Sequence, residues 1–303
     1  MKKIVLITLL LITTINWFGF LPPTLTPEKQ TVCWKIQGNG LKKPSYLFGT
    51  LHTAKQKLIL QNPTLNVFLH QVDAFTIERL DDTAYINHFN PSEYLTQPLR
   101  DLLSAKDYNF VSRVFYEDAR LDINALPPYS PIFLMEQFMT SPSKRNASIA
   151  LDTTYPILSG GRMEAAFIIA AKSRHLPLFG LETYREQDSM NYKVTPAREQ
   201  AICLLKFIND YSAGVTPVNI KKCYMQEDLN CVCKTTLPHF SEYYDSVMRV
   251  GRNFNFMKRL PAMIQKQSTF IAVGTKHLCG ANGLVALLRK KGYILTPCKV
   301  WNP

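Results

Sequence analysis

The sequence predicts an α/β protein: a central mixed β-sheet flanked by helices, with helical insertions. Two observations lead there. Short apolar runs of strand length alternate along the chain with longer segments that are apolar at helical spacing. One strand-and-turn pattern also occurs twice, in residues 45–52 (S-Y-L-F-G-T-L-H) and residues 269–277 (T-F-I-A-V-G-T-K-H). Each is an apolar run closing on Gly, Thr, one free position and His. With 13 Gly and 6 His in 303 residues, chance places a His three positions after a Gly only roughly 0.26 times. A strand that stops at Gly49 or Gly274 can turn sharply, because no Cβ restricts φ and ψ. That turn would bring His52 and His277 to the rim of a sheet, where α/β folds keep their chemistry.

Residues 1–21 begin Met-Lys-Lys and continue as a long apolar segment, which reads as a secretory signal or an uncleaved membrane anchor with the two lysines held in the cytoplasm. Either way the remainder is expected outside the cytoplasm, as a secreted, periplasmic or membrane-anchored protein. Residues 22–30 form a Pro- and Thr-containing linker, and residues 31–303 are expected to make one α/β domain.

The elements follow in order. Residues 33–36 and 45–48 make a hairpin around Gly38-Asn39-Gly40, and the first G-T-x-H closes its second arm. Residues 66–72 end a helix, and residues 74–77, A-F-T-I, are a strand delivering Glu78. Two or three helices are expected over residues 91–126, then a Pro-rich apolar crossover over 127–143. Asp152 precedes a second helical region, where residues 162–175 are apolar around most of their circumference and so predict a buried helix. Residues 178–181 are a strand ending at Glu182. Residues 195–211 read as a helix with Thr195 as N-cap, Pro196 at the first position and Glu199 near the capping-box position. Helix pairs over 223–250 are expected to break at Gly251-Arg252-Asn253, before a helix over 254–266. Residues 268–273 are the strand before the second motif, residues 283–291 a helix, and residues 293–300 a terminal strand after a Gly292 cap.

Composition narrows the function classes. Lys and Arg number 35 against 23 Asp and Glu, a net charge of +12, but they are spread in ones and twos. The densest groups, Lys221-Lys222 and Arg289-Lys290-Lys291, lack the context of a recognition module, so nucleic acid is not an expected partner. In an oxidising compartment the seven cysteines (Cys33, Cys203, Cys223, Cys231, Cys233, Cys279 and Cys298) allow up to three disulfides with one thiol over. No C-x₂-C pair of a structural zinc site is present, and Asn146-Ala-Ser148 fits a glycosylation sequon. No G-x-S-x-G occurs. Cys279, two residues past His277, reads better as disulfide-bonded or buried than as a nucleophile.

His52, Glu78, Glu182 and His277 thus stand at the ends of four predicted strands. Two imidazoles with one or two carboxylates form the nitrogen and oxygen donor set of hydrolytic zinc, manganese or cobalt sites. Such a site holds and acidifies a water and polarises a carbonyl. On this reading His52 and His277 are metal ligands, and Glu78 is a third ligand or the general base. Arg252 either stabilises an oxyanion or substrate carboxylate or forms a structural ion pair. Glu182 and Asp152 are either further ligands or caps of the helices that follow them. His70, His88, His175 and His239 lack a comparable setting.

Y-L-F-G-T-L-H, I-E-R-L, A-A-K-S-R-H-L-P-L-F-G-L-E-T-Y-R-E-Q, G-R-N-F-N-F-M and F-I-A-V-G-T-K-H-L-C-G-A-N-G-L-V-A-L-L-R-K-K-G-Y together resemble the TraB/GumN family, to which the Tiki metalloproteases are related. The resemblance spans residues 33–300. It implies a metal-dependent hydrolase fold, with His52, Glu78 and His277 in the active site and Arg252 and Asn253 contributed by the R-N motif. Some family members are known as inhibitory regulators of conjugation or pheromone signalling. The functions expected are therefore an exported metal-dependent peptidase acting on a peptide or protein, or a non-catalytic regulator binding a peptide, haem or metal. The latter includes a membrane-tethered form that sequesters a signalling peptide.

Overall fold

The computed structural model describes residues 30–51, 54–80, 94–141, 163–215, 220–235 and 241–301. The N-terminal apolar segment, His52, His88, Asp152 and His239 lie outside these residues.

Six strands form one mixed sheet: β1 (Cys33–Gln37), β2 (Ser45–Thr50), β3 (Ala74–Arg79), β4 (Leu178–Glu182), β5 (Thr269–Gly274) and β6 (Ile294–Cys298), in spatial order β4-β3-β5-β2-β1-β6. The four strands from β4 to β2 are parallel, and β1 and β6 add an antiparallel flank. The predicted α/β class is therefore present. Strands β2 and β5 are buried along their whole length, which is why they read as unbroken apolar runs rather than alternating ones. Their aromatic residues pack against the Glu164–Ser173 helix, with the Phe167 and Phe270 rings stacked at 5.3 Å. In the β1–β2 hairpin Gly38, Asn39 and Gly40 all adopt positive φ, a conformation that Gly takes freely and Asn tolerates.

A second apolar core lies in the helical insertions. Val111, Phe115, Phe138, Leu204 and Ile208 meet there, where the Pro131–Thr140 helix packs along the Ala197–Ser212 helix. Residues 127–143 are thus not a bare crossover. Pro131 starts a helix whose N-cap Ser130 accepts a hydrogen bond from Phe133 N at 3.3 Å, and a proline in the first turn costs no helical hydrogen bond.

Three further expectations are corrected. The helix expected to begin at Thr195 spans Ala197–Ser212 with Pro196 at its N-cap position, and Thr195 instead donates its hydroxyl hydrogen bond to Met190 O at 3.2 Å. The Glu164–Ser173 helix buries Ala166, Phe167, Ala170 and Ala171, but its opposite face is open, with Ile169 44% exposed. Gly251-Arg252-Asn253 does not break the chain. A π-helical turn, Ser246–Gly251, runs directly into the Arg252–Lys266 helix, and Gly251 keeps helical angles of −58° and −44°. Glycine lowers helix propensity without forbidding helix, and tertiary packing decides the outcome. Among the described residues no helix is long and apolar enough to cross a membrane.

Candidate functional site

Because β4, β3, β5 and β2 are parallel, their C-terminal ends share one edge of the sheet. Glu78 is the penultimate residue of β3 and Glu182 the last of β4, and β5 passes from Gly274 into a 3₁₀ turn, Thr275–Leu278, that carries His277. The Arg252–Lys266 helix begins at this edge and buries Arg252, Asn253, Phe256, Leu260 and Ile264 along one face. A π-helical turn, of a kind often found at functional sites, leads directly into it, and Arg252 and Asn253 at its start both face inward.

Arg252 joins the three strand ends. Its Nε donates to Glu182 Oε1 at 3.0 Å and Oε2 at 3.2 Å, and its Nη2 donates to Glu182 Oε1 at 2.5 Å and Glu78 Oε2 at 2.6 Å. Its Nη1 faces His277 Nε2 at 3.2 Å. All four side chains are buried, none more than 8% exposed by residue. Burial pulls the Arg252 pKa down, but the charges and hydrogen bonds of the two glutamates outweigh it and keep the guanidinium charged. For Glu182 burial wins: its pKa is raised, even though Arg252 and Gln187 pull it the other way. Glu78 Oε1 also accepts the backbone N–H of Gly274.

Asn253 fixes the orientation of His277. Its Nδ2 donates to His277 O at 3.1 Å and Asn282 O at 2.8 Å, which leaves Oδ1 to accept from His277 Nδ1 at 2.6 Å. With the proton on Nδ1, the lone pair of the neutral imidazole is on Nε2, the nitrogen that faces Arg252 and stands 3.6 Å from Glu78 Oε1.

Neither glycine adopts the left-handed dihedral angles that favour glycine, which corrects the expectation from sequence, and Gly49 serves space instead. Gly274 has φ −53° and ψ 133°, open to any residue, and Gly49 lies within β2. A Cβ on Gly49 would sit 2.9 Å from Thr275 Cα, so the bare glycine lets the second motif's turn pack onto the first motif's strand. Thr275 Oγ1 then donates to Thr50 O at 2.6 Å, joining the threonines of the two G-T-x-H motifs. Cys279 is not a free thiol: it is bonded to Cys233, and Cys223 is bonded to Cys231. The first bond ties the His277 turn to the Leu229–Lys234 helix.

The structure therefore gathers Glu78, Glu182, Arg252, Asn253 and His277. Glu182 does not cap the following helix. Thr183 does, in a capping box with Glu186, while Glu182 pairs with Arg252. His70 and His175 lie on the surface away from the cluster. Gln187 escaped sequence reasoning: it donates to Glu182 Oε1 at 2.7 Å and accepts from Arg79 Nη1 at 2.5 Å. Its only signal was its place five residues after Glu182, on a short helix whose facing is not readable from so few residues. A cavity of about 550 Å³ opens beside the cluster, lined by residues that include Tyr94, Thr183, Arg185, Asp188, Lys193 and Asn255. The cluster's own side chains do not line it.

Metal fit rests on the donors. Two ligands about 2.1 Å from one tetrahedral ion lie about 3.4 Å apart, close to the 3.6 Å between Glu78 Oε1 and His277 Nε2. An imidazole whose other nitrogen is hydrogen-bonded is also the usual form of a ligating histidine. Among the described residues no group of three or more His, Cys, Asp or Glu is arranged to hold an ion, and Arg252 contacts both candidate donors.

Together the mixed sheet and the buried Arg, Glu and His at its parallel edge define an α/β protein with a polar site at the strand ends. The profile of the TraB/PrgY/gumN family matches residues 32–297, and the chain belongs to that family. No curated protein and no solved structure matches it.

Proposed function

We propose that this protein is an extracytoplasmic metal-dependent hydrolase, a peptidase acting on a peptide or protein. The observation that carries the reading is the pairing of His277 Nε2 with Glu78 Oε1 at 3.6 Å, with the tautomer of His277 held by Asn253. Glu78 and His277, together with His52 from the first G-T-x-H, would hold the ion: zinc, manganese or cobalt by donor type. Bound there, a divalent cation supplies Lewis acidity, bringing water toward ionisation at neutral pH and polarising a carbonyl.

The remaining roles belong to the chain. Glu78, held by the Gly274 N–H on one oxygen and Arg252 on the other, is oriented to take up or release a proton. Arg252 brings a permanent positive charge to the place where a carbonyl oxygen would gain negative charge, and Glu182 and Gln187 fix its direction. The neighbouring cavity has room for several residues of an extended peptide and carries Arg185 and Lys193 on its wall. The apolar residues 1–21 support export.

One observation favours the second reading, a non-catalytic binding regulator. Arg252 already pairs with both carboxylates, so the cluster's negative charges are compensated by the chain's own side chain. Metal analysis and peptide hydrolysis separate the two readings. The hydrolase binds a stoichiometric divalent metal that is lost, with turnover, in both His52→Ala and His277→Ala. Metal retained in both variants defeats the shared site, and metal bound without turnover on a broad peptide library makes the protein a regulator. N-terminal sequencing of the mature protein decides between a cleaved signal and an anchor.

A further inference from the structure

Three cysteines remain outside the two disulfides: Cys33 and Cys203, both buried, and Cys298, half-buried. Cys33 and Cys298 are not scattered. They face each other directly across the antiparallel β1–β6 ladder, in the register Cys33↔Cys298, which sets their side chains next to each other on one face of the sheet. Directly opposed residues of antiparallel strands have Cα atoms about 4.5–5.5 Å apart. That falls inside the span a disulfide bridges, about 4.4–6.8 Å.

We infer that Cys33 and Cys298 form a third disulfide, closing β6 onto β1, and that Cys203 is the one thiol left over. The reaction is thiol–disulfide exchange with an external disulfide of the glutathione type. The Cys298 thiolate attacks one sulfur of that disulfide, its S–S bond breaks, and one thiolate leaves. The Cys33 thiolate then attacks the Cys298 sulfur of the mixed disulfide, forming the Cys33–Cys298 bond and releasing the second thiolate. The two cysteines lose two electrons and two protons, and the external disulfide is reduced to two thiols. Position and acidity give the order of attack. Cys298 is the more accessible, and the neighbouring Cys33 thiol holds its pKa below the ordinary thiol value, whereas burial pushes the Cys33 thiol well up.

The bond would fasten a flank that already supports the first G-T-x-H strand. Glu227 accepts the backbone N–H groups of Val300, at 2.5 Å, and Trp301, at 3.0 Å, just past β6. Trp301 packs edge-on against Phe48 of β2, and Tyr224, beside Trp301, donates to Gly49 O at 2.7 Å. Locking β6 to β1 therefore fixes the backing of the strand that leads to His52.

Peptide mapping tests this on the full chain. The folded protein is equilibrated with reduced and oxidised glutathione, quenched in acid, alkylated in denaturant and digested with trypsin. The expected result is that residues 30–35 and 292–299 emerge as one linked species, while residues 199–206 carry alkylated Cys203. Alkylated or glutathione-capped Cys33 and Cys298, or either joined to Cys203, overturns the assignment. As a second measurement, Cys33→Ala and Cys298→Ala each lower the Tm of the oxidised protein, and the double variant lies no lower than the worse single one. Additive losses would show two separately packed thiols and count against the bond. If the variants do not fold, the wild-type map decides alone.

Discussion

Arg252 and Arg259 lie seven residues, about two turns, apart on one helix, and each is paired with glutamate from the β4 end of the sheet. Their settings differ. Arg252 is sealed between Glu78, Glu182 and His277, whereas Arg259 meets Glu186 at 2.5 Å with both side chains more than 40% exposed, and also donates to Leu181 O at 2.6 Å. The outer pair gains little, because water already solvates both charges. Forming the inner cluster costs desolvation of three ions, and it persists because the ions compensate one another. Removing one member is therefore far more harmful than the net contribution of the cluster would imply. The contrast separates a surface pair that holds a loop from a buried arrangement that fixes where charged groups point.

The sharpest way to break this contrast is Arg252→Met against Arg259→Met. The first strands two buried carboxylates and should cost about 3–5 kcal/mol of stability; the second should cost less than about 1 kcal/mol. Equal thermal unfolding of the two variants would end the argument from burial. Next comes Asn253→Ala, which deletes three hydrogen bonds, two of them buried, at a fully buried position and should cost about 1–3 kcal/mol. It should also release the His277 tautomer, read as a change in the ring nitrogen shifts by NMR. If those shifts stay put, Asn253 is a packing residue and does not orient the imidazole.

Smaller still, Glu182→Gln leaves Arg252 with Glu78 and should cost about 1–2 kcal/mol in chemical denaturation, less than Arg252→Met. A loss as large as that of Arg252→Met would mean that Glu78 alone cannot hold the guanidinium. The smallest effect is at the outer pair. Hydrogen bonding from Arg259 lowers the Glu186 pKa from its ordinary 4.5 to about 2. A carboxylate whose folded pKa is depressed stabilises the protein above its unfolded pKa, and that contribution fades as pH falls from 4.5 toward 2. Glu186→Gln should flatten this part of the pH–stability curve by less than about 1 kcal/mol, since the pair is exposed. An unchanged curve would leave Arg259 with only its Leu181 carbonyl to hold.

Much of this arrangement was legible. Glu78, Glu182 and His277 could be put at strand ends because apolar strands are short and stop visibly, and parallel strands of alternating α/β order bring such ends to one edge. The path through Gly251 was not legible: a glycine next to polar residues looks like a break until the sheet edge beneath supplies partners for Arg252 and Asn253. The role of Gly49 was hidden for the same reason, since the Thr275 backbone that crowds it is more than two hundred residues away. Gln187 was missed because a five-residue helix is too short to reveal which way it faces.

The amino-acid sequence alone determined the α/β class, the paired G-T-x-H motifs and the residues able to carry charge or bind an ion, since those depend on local periodicity and side-chain chemistry. Only the tertiary structure decided that one guanidinium would join two strand ends and an imidazole, and that Cys33 would face Cys298. Those contacts join segments far apart in the chain, and their energy depends on burial, a property that no short stretch of sequence carries.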